Sequence, residues 1–215
     1  MKLSILCPAL IGRDGMSTII ADLRKQAVGK PVEVLCFADN GAVPTGEKLN
    51  LLRGAASGEF VATVADDDGV SNDYVEMLLH SIVGRVDALT FNVSVTWNGN
   101  AYNPNEGDTS LSGSRKGAVE APAVYPSFPV RTQPVLVSCG LGPLSAVRAK
   151  AMQGFDYPDV SKGEDAALSV WLRDHIGSAR TLHIERTLYM QHYRSSKPEF
   201  GGATYRPHVM CRVGI

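Results

Sequence analysis

Three short apolar runs alternate with three helical stripes over residues 1–85, and this order constrains the fold more than any other feature of the sequence. Short apolar runs bounded by turn residues are typical of buried strands, and apolar residues three to four positions apart are typical of amphipathic helices. The order therefore predicts an α/β fold in which helices flank a Rossmann-like, mostly parallel sheet. The runs lie at residues 2–7, 32–37 and 60–65, and the stripes start at Met16, Leu49 and Tyr74.

The pattern changes after this region. Residues 88–97 alternate strictly between apolar and polar, which predicts a half-buried strand, and Asn98-Gly99 predicts a hairpin turn and a small antiparallel element. Residues 100–134 are rich in Gly, Ser, Pro and Asn, and so long a stretch in a compact domain is usually functional or mobile. Further strands are expected at 135–139 and 181–189, a short helix at 145–152 and a helix from Gly163 onward.

We expect one domain over residues 1–215, with a ligand-binding half at 1–97, the loop-rich segment at 98–134 and a second half at 135–215. The formal net charge of −1 supplies no overall positive field for nucleic acids or acidic membranes. Four cysteines without a C-x-x-C pair favour a reducing compartment over disulfides or a zinc knuckle. The opening run is interrupted at Pro8, and no apolar run approaches about 20 residues, so we expect a cytoplasmic protein without a signal peptide or transmembrane helix.

Three adjacent carboxylates, Asp66, Asp67 and Asp68, directly follow the third apolar run. Such neighbours repel each other unless a cation or hydrogen bonds compensate, and hard divalent cations prefer oxygen ligands. Ligands of open α/β sheets bind beyond the carboxyl ends of the strands, where this triplet is expected to lie. A solvated turn ahead of a helix capped by Ser71 is the alternative.

Several segments, in order along the chain, together resemble the family 2 glycosyltransferases of GT-A fold. In that family an A-x-G-E-(Y/F)-(I/V) segment leads into an Asp-rich motif, and a G-F…G-E-D-x-x-L segment follows later. The sequence departs from the family at Ala65, where a first Asp is common, and at Ala38-Asp39-Asn40, where two acids and a Ser are usual. The matching segments are Leu3–Pro8, Gly46–Asn50, Ala56–Val61, Gly154-Phe155 and Gly163–Leu168.

The resemblance implies a nucleoside-diphosphate sugar donor, best matched by a UDP-sugar, with Mn²⁺ or Mg²⁺ bound to its diphosphate as a Lewis acid. It implies that Asp67 is a direct metal ligand and that Asp68 supports the metal. His192, late in the chain, would complete the site, and Asp66 would support the metal or the ribose. The alternatives are packing around the site for Asp66 and Asp68, and an ordinary surface histidine for His192.

The remaining donor contacts predicted by the resemblance are Pro8, Arg13, Asp39 and Lys48. Asp39 would contact the nucleotide base, although an Asx-turn before Gly41 explains it equally. Lys48 would reach the base or a phosphate as a point charge, although an ordinary exposed helix lysine is the alternative. Arg13 is a weaker candidate of the same kind.

On the acceptor side, the resemblance implies that Asp165, next to Glu164, is the general base of an inverting transfer to an acceptor hydroxyl. The alternative is that both acids only favour the first turn of a helix. The acceptor is expected to be a saccharide, a protein, a small molecule or a hydroxymethylated base in phage DNA. Cations suited to DNA phosphates, or simply solvated charges, are Arg115, Lys116, Arg131, Arg148 and Lys150.

Two other functions remain open. A nucleotidyltransferase also uses an acidic cluster at a strand end, but it needs a Gly-rich phosphate loop, of which residues 10–15 are a poor version. A catalytically inactive nucleotide-sugar-binding module would need neither the Asp triplet nor Glu164-Asp165.

Overall fold

The structure, a computed structural model, describes residues 1–13, 15–97, 100–101, 136–138, 144–161, 163–176, 180–193 and 209–213. Its strands are β1 Leu3–Leu10, β2 Val32–Asp39, β3 Phe60–Thr63, β4 Gly69–Val70, β5 Ala88–Trp97, β6 Asn100–Ala101, β7 Leu136–Ser138, β8 Ala146–Arg148, β9 Thr181–Tyr193 and β10 Val209–Val213. Its helices are α1 Met16–Ala27, α2 Thr45–Ala55, α3 Tyr74–Ser81 and α4 Glu164–His175, and Ala149–Met152 form a 3₁₀ turn.

The strands form one mixed sheet in the order β10-β2-β1-β3-β8-β5-β9-β4, and β6 and β7 also pair with β5. Its longest ladders are parallel: β1 pairs with β2 from end to end, and β5 pairs with β9. β8 lies antiparallel between β3 and β5 and so joins the two parallel parts. The predicted α/β fold, with a mostly parallel sheet and antiparallel elements, is confirmed.

Helices cover both faces of this sheet. On one face α1 and α3 pack on alternate residues of the first strands, since Leu23 of α1 and Leu78 of α3 belong to the same apolar cluster as Leu3 and Ile5. On the other face α2 packs through Leu52 and α4 through Leu172. Each fully buried leucine stabilises the fold by about 1.5–3 kcal/mol relative to an exposed one, so both faces hold the strand ends in place.

β1 does not end before Pro8, as the sequence predicts, but continues through it to Leu10. The Leu6 carbonyl accepts a hydrogen bond from Val64 N–H, so Leu6 and, by strand alternation, Pro8 direct their backbone groups toward β3. The β1–β3 ladder has its last pair at Leu6, and the N–H that proline lacks is therefore not needed for pairing.

Residues 145–152 form β8 and a 3₁₀ turn and not the predicted short helix. Val147 pairs with Val61 on one side and Ala88 on the other, and this pairing between two strands outweighs a local helical pattern. The start of β5 is buried on both faces, with Ala88 in the cluster that contains Leu168 and Leu172 and Leu89 in the largest cluster. The prediction of a half-buried strand is therefore wrong for Ala88 and Thr90, which are at most 1% exposed.

Two elements near the Asp triplet also differ from expectation. Asp73, not Ser71, is the residue before α3, and Ser71 donates its hydroxyl hydrogen to Asp73. β9 extends beyond the predicted residue 189 to Tyr193 and pairs antiparallel with β4.

The predicted hairpin is present, because Trp97 pairs with Asn100 across a two-residue connection. Residues 102–135, almost all of the predicted loop, lie outside the described residues. Within the described part of the chain, no helix combines the length and the apolar character that crossing a membrane requires.

Candidate functional site

The parallel strands β1, β2 and β3 end at one edge of the sheet, and the predicted acidic triplet follows β3 there. Asp66 is 2% exposed and accepts two hydrogen bonds, from Leu10 N–H at 2.7 Å and from Arg13 Nη1 at 2.5 Å. The same Arg13 nitrogen lies 3.5 Å from Asp67 Oδ2. Asp66 therefore ties the end of β1 to the end of β3 and places a guanidinium beside the triplet.

The charge on Asp66 is only partly compensated. Burial raises the pKa of Asp66 and is the largest influence; the Leu10 N–H and Arg13 oppose it, and the neighbouring charge of Asp67 adds to it. The net pKa is raised above the ordinary value. An additional cation beside the triplet would favour the ionised form, so the local electrostatics suit a bound positive charge.

Asp68 is held by β9. The Tyr189 hydroxyl donates to Asp68 Oδ2 at 2.8 Å, and the His192 backbone N–H donates to Asp68 Oδ1 at 2.8 Å. Tyr189 also accepts a hydrogen bond from Ala65 N–H at 3.1 Å. A methyl group placed on Gly69 would lie 3.6 Å from His192 Nε2. The structure thus brings His192 next to the triplet, although the two are more than 120 residues apart in the chain.

The described residues contain no group of three or more His, Cys, Asp or Glu side chains that could hold a metal ion alone. Mg²⁺ is usually bound through one or two carboxylates and completes its coordination with substrate phosphates and water. Asp67, beside Arg13, and Asp68, beside His192, supply such a partial set of oxygen donors. The residues present therefore fit a divalent ion whose remaining ligands come from a diphosphate.

Asp39, the last residue of β2, is fully buried. It accepts hydrogen bonds from Gly41 N–H at 3.1 Å and from Val43 N–H at 2.7 Å, and it forms an ion pair with Lys48, whose ammonium also donates to the Ala9 carbonyl at 2.9 Å. The Asx-turn expected as an alternative for Asp39 is present. The expectation of an exposed helix lysine is wrong, because Lys48 is 3% exposed.

These contacts decide the ionisation of Asp39. Burial, the largest single influence, acts to raise the pKa of Asp39, but the hydrogen bonds from Lys48, Val43 and Gly41 together outweigh it. The pKa of Asp39 is consequently lowered. The Asp39–Lys48 ion pair and the hydrogen bonds to Asp39 therefore hold the loop that joins β2 to α2 in position.

Among the predicted donor contacts, Pro8 does not lie where the sequence predicts. It lies two residues inside β1, paired with Phe37, and not at the strand end. Its side chain is half-buried.

Glu164 and Asp165 form the first turn of α4, as predicted. Asp165 is exposed and accepts a hydrogen bond from Ala166 N–H at 2.7 Å. Glu164 is half-buried, and its buried Oε2 has no hydrogen-bond partner among the described residues. Burial, followed by the charge of Asp165, raises the pKa of Glu164.

The buried side chain of Tyr157 lies near the end of β3. Burial raises the pKa of Tyr157 to about 12, a hydrogen bond from Thr63 opposes the shift, and the charges of Glu164 and Asp165 contribute to it. Thr63 is the last residue of β3, so the hydroxyl of Tyr157 lies near the carboxyl end of that strand. The catalytic and the helix-electrostatic interpretations of Asp165 both remain compatible with its exposed position in the first turn of α4.

The structure is similar to two groups of solved structures. Residues 1–349 of S. aureus TarS, in complex with UDP-GlcNAc, are 15% identical with a TM-score of 0.61, and the match covers 95% of this chain and 62% of that one. Glucosyl-3-phosphoglycerate synthase from Mycobacterium tuberculosis, in complex with Mg²⁺ and UDP, is 14% identical with a TM-score of 0.53, over 87% of this chain and 70% of that one. The chain has the GT-A glycosyltransferase fold.

Both neighbours were solved with a uridine nucleotide, and the mycobacterial synthase also with Mn²⁺ and phosphoglyceric acid. The match with this chain covers less than two thirds of the length of the TarS fragment and 37% of the length of a longer TarS structure. No protein-family model matches the sequence, and no curated protein was found to match it.

Two of the cations predicted for DNA contacts, Arg148 and Lys150, are among the described residues. Arg148 donates to Asp87 at 3.0 Å and to the Val86 carbonyl at 2.7 Å, forms an ion pair with Glu59 and lies over the Phe60 ring. Its guanidinium thus ties the residues that precede β3 and β5 together and has its charge compensated within the protein. Lys150 is exposed on the 3₁₀ turn, whereas Arg115, Lys116 and Arg131 lie outside the described residues.

Sequence reasoning missed Tyr189 and Asn50 in this GT-A site. Tyr189 orients Asp68, and Asn50 on α2 binds the backbone of Tyr157. The sequence offered one signal for each: a tyrosine near the end of an apolar run, and an asparagine inside a helix, where its propensity is poor.

Proposed function

We propose that this protein is a metal-dependent glycosyltransferase that moves a sugar from a UDP-sugar to an acceptor hydroxyl. The observation that carries the proposal is the Asp66–Asp68 triplet, held by Arg13 on one side and by Tyr189 on the other, at the strand ends of a GT-A fold. The uridine nucleotides in both groups of neighbouring structures support the choice of donor.

On the donor side, Asp67 and Asp68 would hold Mn²⁺ or Mg²⁺, and His192 would stand beside them. An ion at this place would supply Lewis-acid neutralisation of the leaving diphosphate. Arg13, already aligned by Asp66, would add a positive charge near the phosphates. Asp39 and Lys48 would act on the nucleotide through the loop that they support, because Asp39 already accepts three protein hydrogen bonds.

On the acceptor side, Asp165 would act as the general base of a single inverting displacement. Its exposed carboxylate would take the proton of the acceptor hydroxyl while the acceptor oxygen forms a bond to the anomeric carbon. The bond from that carbon to the diphosphate breaks in the same step, and UDP leaves with its electron pair. Glu164, with its raised pKa, would lie beside Asp165 on the acceptor side.

The acceptor would be a saccharide or a hydroxymethylated base of phage DNA. The contacts of Arg148 with Glu59 and Asp87 remove one cation from the second option, and the net charge of −1 supplies no compensating field. These observations favour the saccharide.

One assay distinguishes the three functions considered above. Purified protein is incubated with a panel of UDP-sugars and Mn²⁺, and released UDP is measured alongside pyrophosphate released from nucleoside triphosphates. A glycosyltransferase releases UDP slowly, with water in the acceptor's place, and stops in a chelator. Pyrophosphate release would indicate a nucleotidyltransferase, and UDP binding without turnover would indicate an inactive binding module.

A further inference from the structure

Residues 155–160, here called the strap, run along one face of α2. The Gly46 N–H donates to the Val160 carbonyl at 3.0 Å, Asn50 binds Tyr157, and Arg53 pairs with Asp156 at 2.6 Å. The three α2 residues are four and three positions apart, so they line one face of the helix. The strap is therefore attached to α2 at the beginning, middle and end of the helix.

The Asn50 attachment differs in kind from the other two. Its Nδ2 donates to the Tyr157 carbonyl at 2.9 Å, and its Oδ1 accepts from the Tyr157 N–H at 2.9 Å. One half-buried side chain thus satisfies both backbone groups of a single residue and fixes its position and orientation. The Arg53–Asp156 pair contributes less, since the Asp156 side chain is 83% exposed and exposed ion pairs are weak.

Tyr157 connects this attachment to α4. Its side chain is 5% exposed and belongs to the apolar cluster that also contains Leu168 and Leu172 of α4. Its ring packs edge to face on Phe155, with ring centroids 4.9 Å apart, and Phe155 in turn contacts Trp171 of α4. The position of Tyr157 therefore helps to set where the first turn of α4 lies.

The opposite side of α2 contacts the donor end of the sheet. Two residues before Asn50, Lys48 binds Asp39 at the end of β2 and the Ala9 carbonyl near the end of β1. A single rigid helix thus lies between the strand ends and the strap that leads to Glu164 and Asp165.

We propose that Asn50 is a positioning residue that holds Asp165 at the correct place relative to the donor by fixing Tyr157 on α2. The inference rests on the proposed function, in which Asp165 receives the acceptor proton. Asn50 touches neither donor nor acceptor in this account. Its removal should leave donor binding intact and slow the chemical step.

The test compares Asn50→Ala and Asn50→Asp with the wild type. UDP binding with Mn²⁺ is measured by calorimetry, and turnover of UDP-GlcNAc and UDP-glucose is expressed per UDP-binding site, which corrects for misfolded protein. We expect kcat to fall by roughly 10- to 100-fold in Asn50→Ala, because small misplacements of a reacting group are costly. We expect UDP affinity to change by no more than about twofold, since the donor contacts are retained.

Asn50→Asp keeps the acceptor for the Tyr157 N–H but sets its second carboxylate oxygen, also an acceptor, against the Tyr157 carbonyl oxygen, so kcat should fall at least as far as in Asn50→Ala. Asp156→Ala is the matched control, because it removes the exposed strap contact and should leave both quantities near wild type. Wild-type kcat per site in both Asn50 variants would overturn the inference. A parallel loss of UDP affinity would also overturn it, since the defect would then be a general one. A wild type that neither binds UDP nor turns over either sugar would instead contradict the proposed function.

Discussion

At the scale of single residues, the site depends on buried charges that have specific partners. Asp39 and Lys48 are both nearly inaccessible, and each is satisfied by the other and by backbone groups. Removing one partner of such a pair leaves an uncompensated charge in the interior, whereas replacing both can be nearly neutral. The pair is therefore a place where single and double substitutions should differ strongly.

We predict that Lys48→Met lowers the free energy of unfolding by about 3–5 kcal/mol, the usual cost of breaking a buried ion pair. Lys48→Met combined with Asp39→Asn should recover much of that loss. Urea denaturation of the two variants and the wild type provides the measurement. Equal destabilisation by the single and double substitutions would mean that the two side chains act independently.

The lowered pKa of Asp39 also predicts that the stability of the protein depends on pH. Its pKa is lower in the folded protein than the ordinary value of 3.8, so its contribution is fully present above that value. The contribution is lost as the pH falls below 3.8 toward the folded pKa. The wild type should therefore lose stability over that acid range more steeply than the Lys48→Met, Asp39→Asn double variant in urea denaturation as a function of pH. Identical acid profiles would show that Asp39 does not titrate as described.

The role of Asp165 can be separated from helix electrostatics by one substitution. Asp165→Asn keeps the size of the side chain but cannot take a proton, so turnover should fall by on the order of 10² to 10⁴ while UDP binding survives. The control is Asp174→Asn, at the other end of α4, where the exposed carboxylate pairs with Arg173. A near-wild-type rate for Asp165→Asn would leave Asp165 with a helix-terminus role only and make Glu164 the next residue to test.

At the scale of elements, α2 carries two glycines in opposite environments. A methyl group on Gly46 would overlap the Pro158 carbonyl oxygen and lie 3.3 Å from the Val160 carbonyl oxygen, both of them backbone atoms of the strap. A methyl group on Gly54 would meet no atom within 4 Å. The helical pattern predicts α2 without distinguishing these two glycines, because the strap that makes them different lies about 100 residues away in the chain.

We predict that Gly54→Ala raises the free energy of unfolding by about 0.5–1 kcal/mol through improved helix propensity. Gly46→Ala should lower it by roughly 1–3 kcal/mol, because the backbone of the strap must move to admit the methyl group. Thermal and urea unfolding of the two variants give the comparison. Stabilisation of both to the same extent would show that the strap does not pack closely on α2.

At the scale of the whole molecule, the sequence predicted those parts of the fold that depend on local residue patterns. The order β1-α1-β2-α2-β3-α3 follows from periodicity, and the Asp triplet follows β3 because strand ends are marked by polar residues. The insertion of β8 between β3 and β5, and the pairing of β10 with β2, depend on contacts between distant segments. For the same reason, the proximity of His192 to Asp68 was expected only from the family resemblance. The hydrogen bonds of Tyr189 and Asn50 were not expected at all.

The central claim is that the strand ends of this GT-A fold bind a uridine nucleotide through a metal held by the Asp triplet. Calorimetric titration of UDP in Mn²⁺ and in a chelator tests it most directly, with Asp67→Ala as the variant and Asp22→Ala, on the exposed side of α1, as the control. We predict binding to the wild type and to the control that requires Mn²⁺. Affinity should fall at least about tenfold in Asp67→Ala, in line with the loss of a metal ligand or its support. UDP binding of equal strength in the chelator, or undiminished in Asp67→Ala, would contradict the account.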